Sequence, residues 1–190
     1  INNEHELAID ERKVHMEENM IITIRRQYGS GGSQVAKILA ERMGVWCYDR
    51  DILTIAAERI GNEELTEDTI NDLNYKRNDV ASAGITGVMG MGNIPIYNQM
   101  FLEQAKIIRK LANYGSAVFL GRCADYILKY IKNCTSVYLY ADREFRKNRV
   151  KEIYGSNAEI MDKEEKNRAD YYNYYTGNRW GDINNYDFAI

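Results

Sequence analysis

The chain is poor in the residues that serve the commonest site chemistries. Only two of its 190 residues are histidine, His5 and His15. Both precede the first strand-like segment, which argues against histidine-based acid–base catalysis. The three cysteines, Cys47, Cys123 and Cys134, are odd in number. They lack the paired spacing of a zinc site and read as reduced thiols in a cytoplasmic protein. Proline occurs once, at Pro95, so no proline-rich linker divides the chain. No apolar run approaches the roughly 20 residues of a membrane span, and no signal-peptide pattern opens the sequence. An excess of positive charge is also missing. Twenty-five basic residues face 28 acidic ones, a net charge of −3, so no global basic field draws nucleic acid. Neither nucleic acid nor membrane is an expected partner.

What remains is ordinary for a globular protein: 45% hydrophobic and 28% charged residues, in a length that suits one domain. Residues 1–20 are polar and charged and suggest an N-terminal helix or tail. Strand-like runs follow at Ile21–Ile24, Val45–Tyr48, Ser116–Leu120, Thr135–Tyr140 and Tyr186–Ile190. Helical periodicity separates them, with Val35, Ile38 and Leu39 on one apolar stripe and Gly44 as a stop. Asp49 is expected to cap a helix running to about Arg59, and Asp142 to cap another. Further helices are expected over Thr66–Leu73, Gln99–Asn113, from Arg122 to about Ile131, and over Asn157–Tyr175. Strands alternating with helices predict an α/β domain around a parallel sheet. Ala81–Gly92, glycine-rich and uncharged, suits either a surface loop or a flap.

The chemistry concentrates in Ile21–Ala40. A β-branched strand runs into Tyr28-Gly29-Ser30-Gly31-Gly32-Ser33, and a helix follows. Glycines let backbone approach an anion, and a helix N-terminus presents free N–H groups and a positive dipole end. This order predicts a phosphate site. Against the pattern G-x-x-x-x-G-K-[ST], Arg26 stands at the first glycine, Gly31 at the second and Gly32 at the lysine. Ser33 stands at the hydroxyl that holds Mg²⁺, with Gln34 beside it. A lysine introduced at position 32 is expected to be tolerated if the loop keeps that geometry.

Other candidates lie downstream. Arg122 follows a buried-looking strand and a glycine, and its planar fork suits a phosphate; capping nearby carbonyls or pairing with Asp125 is the plainer alternative. Asp49 ends a strand and suits either a cap or a hydrogen bond to a base or ribose. The helix after Asp142 carries Arg146 and Arg149 on one face, and Arg168 sits on the next helix among Tyr171, Tyr172 and Tyr175. Those tyrosines, like Trp180, read best as packing residues.

Three segments carry a resemblance: RRQYGSGGSQVAKILAERMGVWCYDRDIL, GRCADYIL and YYNYYTGNRWGDINNYDFAI. Together they resemble the cytidylate kinase-like family of P-loop nucleoside monophosphate kinases, from about Ile21 to Ile190. The resemblance implies a three-layer P-loop kinase core over residues 21–190, an acceptor-binding insertion at about 50–97 and a lid at about 142–178. It implies transfer of the γ-phosphoryl group of ATP, with Mg²⁺, to a nucleoside monophosphate, cytidylate being favoured. Arg26, Gly29, Ser30, Gly31, Gly32, Ser33 and Gln34 would then hold the ATP phosphates. Arg122 and Asp49 would face the acceptor, and Arg146, Arg149 and Arg168 would close over the reacting phosphates. Loss of the lysine leaves open a second reading, a nucleotide- or phosphate-binding protein with weak or no catalysis.

Overall fold

The computed structural model describes residues 19–61 and 96–190. The N-terminal segment up to residue 18, the expected helix at Thr66–Leu73 and the glycine-rich stretch Ala81–Gly92 lie outside the described residues. So does most of the expected insertion.

Five parallel strands form the centre. They are β1 (Ile21–Arg26), β2 (Trp46–Tyr48), β3 (Ala117–Leu120), β4 (Cys134–Leu139) and β5 (Phe188–Ala189), in the spatial order β2-β3-β1-β4-β5. The middle of this order follows from composition. All four residues of β3 are buried, as a parallel strand covered on both faces requires. β1 lies between β3 and β4, with Ile21 opposite both Ala117 and Cys134. The chain leaves β1 toward β2 on one side, and leaves β3 toward β4 on the other. The carboxyl ends of β1 and β3 therefore flank the switch in connection direction, the place where open sheets accept ligands.

Six described helices surround the sheet: α1 (Gly32–Met43), α2 (Asp51–Ile60), α3 (Ile96–Tyr114), α4 (Ala124–Ile127), α5 (Arg143–Tyr154) and α6 (Ala158–Thr176). On one face, Ile52, Ile108, Phe119, Leu128 and Tyr172 pack into the larger core. On the other, α1 lies against Ile24, Val118 and Leu120. Each such aliphatic or aromatic side chain contributes about 1.5–3 kcal/mol when fully buried.

Three local expectations change. The buried face of α1 is Gly32, Ala36 and Ala40, while Val35 and Ile38 are 43% and 42% exposed. Small residues four apart let the helix approach the sheet closely; Val35 and Ile38 are left outside, while Leu39 packs against this core as expected. The helix after β3 is four residues, followed by turns, instead of running on to about Ile131. Asp49 does not cap α2. That helix starts at Asp51 with Arg50 in the cap position and no side-chain cap bond, and the Asp49 carboxylate faces Arg26 at 3.8 Å. Asp142 does cap α5, accepting from the Phe145 N–H at 2.8 Å. Asn157 likewise caps α6, accepting from the Ile160 N–H.

Strand alternation sends the two arginines ending β1 to opposite faces. Arg25 enters the larger core, where its Nη2 donates to Asp125 Oδ1 at 2.7 Å. Its guanidinium carbon lies 4.2 Å from the Tyr172 ring centre. The Tyr172 hydroxyl donates to the other Asp125 oxygen at 2.9 Å. Asp125 is thus the partner of both Arg25 and Tyr172.

Candidate functional site

The turn leaving β1 is held from both sides. Gly31, at φ +88°, stands in the cap position of α1, a left-handed conformation that glycine adopts without strain. The first amides of α1 have no intrahelical carbonyl to bond. They open into a cleft of about 390 Å³. Arg26, Gly29, Gly31, Gly32, Ser33 and Gln34 all line it. Ser30 does not; its hydroxyl turns back to donate to the Gln27 carbonyl at 3.0 Å.

Helix α5 forms the opposite wall. It runs so close to the loop that a Cβ on Gly29 would lie 2.8 Å from Val150 Cγ2 and 2.9 Å from the Arg146 carbonyl oxygen. Arg149 reaches over Gly31, with Nε 3.4 Å from the place of a Cβ there. Its Nη2 donates to Gln34 Oε1 at 2.8 Å. Its Nε is buried and makes no hydrogen bond. A buried guanidinium N–H without an acceptor is costly, and this one sits above the amides that open α1. Ile153 and Tyr154 extend the same wall, with the Tyr154 ring centre 5.8 Å from that of Tyr28.

Helix α6 closes the third side. Arg168 lines the cleft, donates to the Arg26 carbonyl at 3.2 Å and stacks over the Tyr28 ring, 4.9 Å from its centre. One turn earlier, Glu165 accepts from the Tyr28 N–H at 2.7 Å and from the Trp180 indole N–H at 2.8 Å. The loop is thus tied to α6 by a carboxylate and an arginine. Arg146 lies outside the cleft lining and ties α5 to the loop, donating to the carbonyls of Ala141 and Tyr28 at 3.1 and 3.3 Å.

Arg122 and Asp49 stand apart from the cleft, at the ends of β3 and β2. Gly121, Arg122 and Cys123 have φ of +76°, +56° and +55°, three left-handed residues in succession. For Arg122 and Cys123 that conformation is strained and persists only where neighbours enforce it, a pattern that clusters at ligand sites. Cys123 is fully buried there, and burial pushes its thiol up to about 11. It stays protonated near neutral pH and is no nucleophile.

Arg26 connects the two regions. Its side chain lies flat across Gly32, where an added Cβ would fall 2.5 Å from Arg26 Cβ and 2.7 Å from Cγ. The expectation that position 32 tolerates a lysine is therefore overturned: any side chain there collides with Arg26.

Sequence reasoning missed Gln27, Tyr28, Lys37, Ile153 and Tyr154 in the cleft, and Glu165 beside it. Lys37 follows Ser33 by four residues and Glu165 precedes Arg168 by three. Helical spacing alone places each beside a named candidate.

Comparison with known proteins bears on the family and the fold. A family model described as the cytidylate kinase-like family matches residues 21–190. A solved structure of an uncharacterized protein from Eubacterium ventriosum is similar, with 29% identity, TM-score 0.64, and coverage of 90% of this chain and 86% of that one. Shikimate kinase from Bacteroides thetaiotaomicron shares the fold, with 12% identity, TM-score 0.51, and coverage of 91% and 86%. No curated protein matches the chain.

Proposed function

The chain belongs to the cytidylate kinase-like family, and from that premise we propose that it transfers the γ-phosphoryl group of ATP to a nucleoside monophosphate, cytidylate first among them. The observation that carries this reading is Arg149 Nε, buried without an acceptor above the glycine loop. An anion at the loop supplies that acceptor.

In this reading the loop amides and the α1 N-terminus bind the donor phosphates. Arg149 and Arg168 neutralise charge that spreads over the transferring group, the main demand of this chemistry. Gln34 holds Arg149 over the loop, and Glu165 with Arg168 holds the loop against α6. Arg122, on its strained turn, faces the acceptor phosphate, and Asp49 stands beside that region. A magnesium ion keeps several waters and takes few protein ligands. The Ser33 hydroxyl on the cleft wall fits as one of them, and the ion would supply positive charge against that of the phosphates. Among the described residues no group of three His, Cys, Asp or Glu side chains gathers.

The second reading, a phosphate-binding protein without turnover, draws on one observation, glycine at position 32. A split in affinities tests the assignment. Arg149→Ala should weaken ATP binding about tenfold or more and leave cytidylate binding within twofold, measured by titration calorimetry. Arg122→Ala should do the reverse. Equal losses for both ligands in both variants would overturn the two-sided site.

A further inference from the structure

The arrangement of Arg26 and Gly32 is reciprocal to that of the usual phosphate loop. The pattern G-x-x-x-x-G-K-[ST] has glycine first and lysine seventh; this chain has arginine first and glycine seventh. The structure gives a reason why position 32 carries no side chain beside Arg26. A Cβ at position 32 would lie 2.5 Å from the Cβ at position 26, a separation that side chains do not adopt. Only one of the two positions can carry a side chain. Gly32 is not needed for its backbone, since it lies within the first turn of α1 and has no left-handed φ. It is needed for room.

The course of Arg26 agrees. From Gly32 the side chain runs to the end of β3, where a Cβ on Gly121 would collide with Nη1. Nη2 is 3.8 Å from the Asp49 carboxylate. The side chain is 14% exposed, and Arg26 is among the residues that line the cleft. The guanidinium therefore stands between the donor cleft and the strand ends carrying Asp49 and Arg122. Gly32, Gly121 and the Asp49 carboxylate lie along its course, and its charge is permanent.

Resting on the kinase reading above, we propose that Arg26 is a catalytic residue that replaces the missing lysine, acting from the opposite end of the loop. In the step it serves, an oxygen of the acceptor monophosphate bonds to the γ-phosphorus. The bond from that phosphorus to the bridging oxygen breaks, and its electron pair leaves on ADP. Arg26 holds the transferring phosphoryl oxygens by charge-assisted hydrogen bonds, and Asp49 keeps the guanidinium at the boundary of the two sites.

The test is an exchange of the two residues. Arg26→Met keeps the stem over Gly32 and removes the charge. It should lower the transfer rate about 100-fold or more, the usual loss when one fixed transition-state donor is removed, and weaken ATP binding more than cytidylate binding. Gly32→Lys alone should lose ATP binding through the collision with Arg26. The double variant R26G/G32K restores the common order and should recover at least tenfold over Arg26→Met, with the single-site variants checked for folding by circular dichroism. Full activity of Gly32→Lys alone overturns the proposal. So does a folded double variant no better than Arg26→Met, or a loss in Arg26→Met confined to cytidylate binding. If the unaltered protein binds ATP but phosphorylates no acceptor, the kinase reading fails, and the ATP dissociation constants of the three variants still decide the role of Arg26. An unaltered protein that does not bind ATP overturns both.

Discussion

Replacing Asp125 by asparagine keeps the shape of the side chain and removes its charge, leaving Arg25 with no anionic partner. Arg25 is 5% exposed and Asp125 8%. The carboxylate makes two bonds, from Arg25 at 2.7 Å and from the Tyr172 hydroxyl at 2.9 Å. Removing one member of a buried pair costs about 3–5 kcal/mol, because the other charge stays desolvated. The amide oxygen of asparagine still accepts one bond, which puts the expectation at about 3 kcal/mol. For a domain of this size each kcal/mol moves the melting temperature by about 2–4 °C, so Tm should fall by about 6–12 °C. Urea unfolding followed by far-ultraviolet circular dichroism measures the free energy, and a thermal scan measures Tm. The cycle is closed with Arg25→Met and the double variant, which should be more stable than Asp125→Asn because the stranded charge is gone. A loss below about 1 kcal/mol, or strictly additive single effects, would refute the argument that this pair is an isolated buried unit.

Other consequences are open to direct measurement. Glu165→Ala releases the Tyr28 amide and the Trp180 indole; it should cost about 1–3 kcal/mol of stability and raise the KM for ATP with little change in the KM for the acceptor. An unchanged KM would show that the loop does not depend on α6. The buried Cys123 thiol and the half-buried Cys134 thiol are both pushed up to about 11 by desolvation, so both stay largely protonated at pH 8. Mass spectrometry of native protein after brief iodoacetamide treatment at pH 8 should find both unmodified, with alkylation rising above pH 10. Rapid labelling of Cys123 at pH 8 would contradict its buried setting.

The sheet was legible because its central strands are nearly continuous apolar runs: β3 is Ala-Val-Phe-Leu, and a strand buried on both faces has no polar alternation to obscure it. The loop was legible through its glycines and the helix behind them. The inward face of α1 was not, since Gly32, Ala36 and Ala40 form a stripe of smallness and the eye follows Val35 and Ile38. The partners of the charged residues were hidden for a different reason. Arg25 and Asp125 are 100 positions apart, and Asp49 meets Arg26 only because Gly32 lets the arginine cross. Glu165 sits in the run Glu164-Glu165-Lys166-Asn167-Arg168, where composition alone reads as a solvated face. Of the arginines expected to close over phosphates, Arg149 and Arg168 line the cleft and Arg146 bonds the loop from behind. One helical turn separates those two outcomes, which spacing alone does not resolve.

The most direct test of the central reading is turnover. Purified protein is assayed by coupled ADP release with Mg-ATP against CMP, dCMP, UMP and AMP. Phosphoryl transfer to a pyrimidine monophosphate, CMP first, at roughly 1 to 100 per second is the expected result. No transfer to any of the four acceptors by protein that binds ATP would contradict it and favour a binding role for the same cleft.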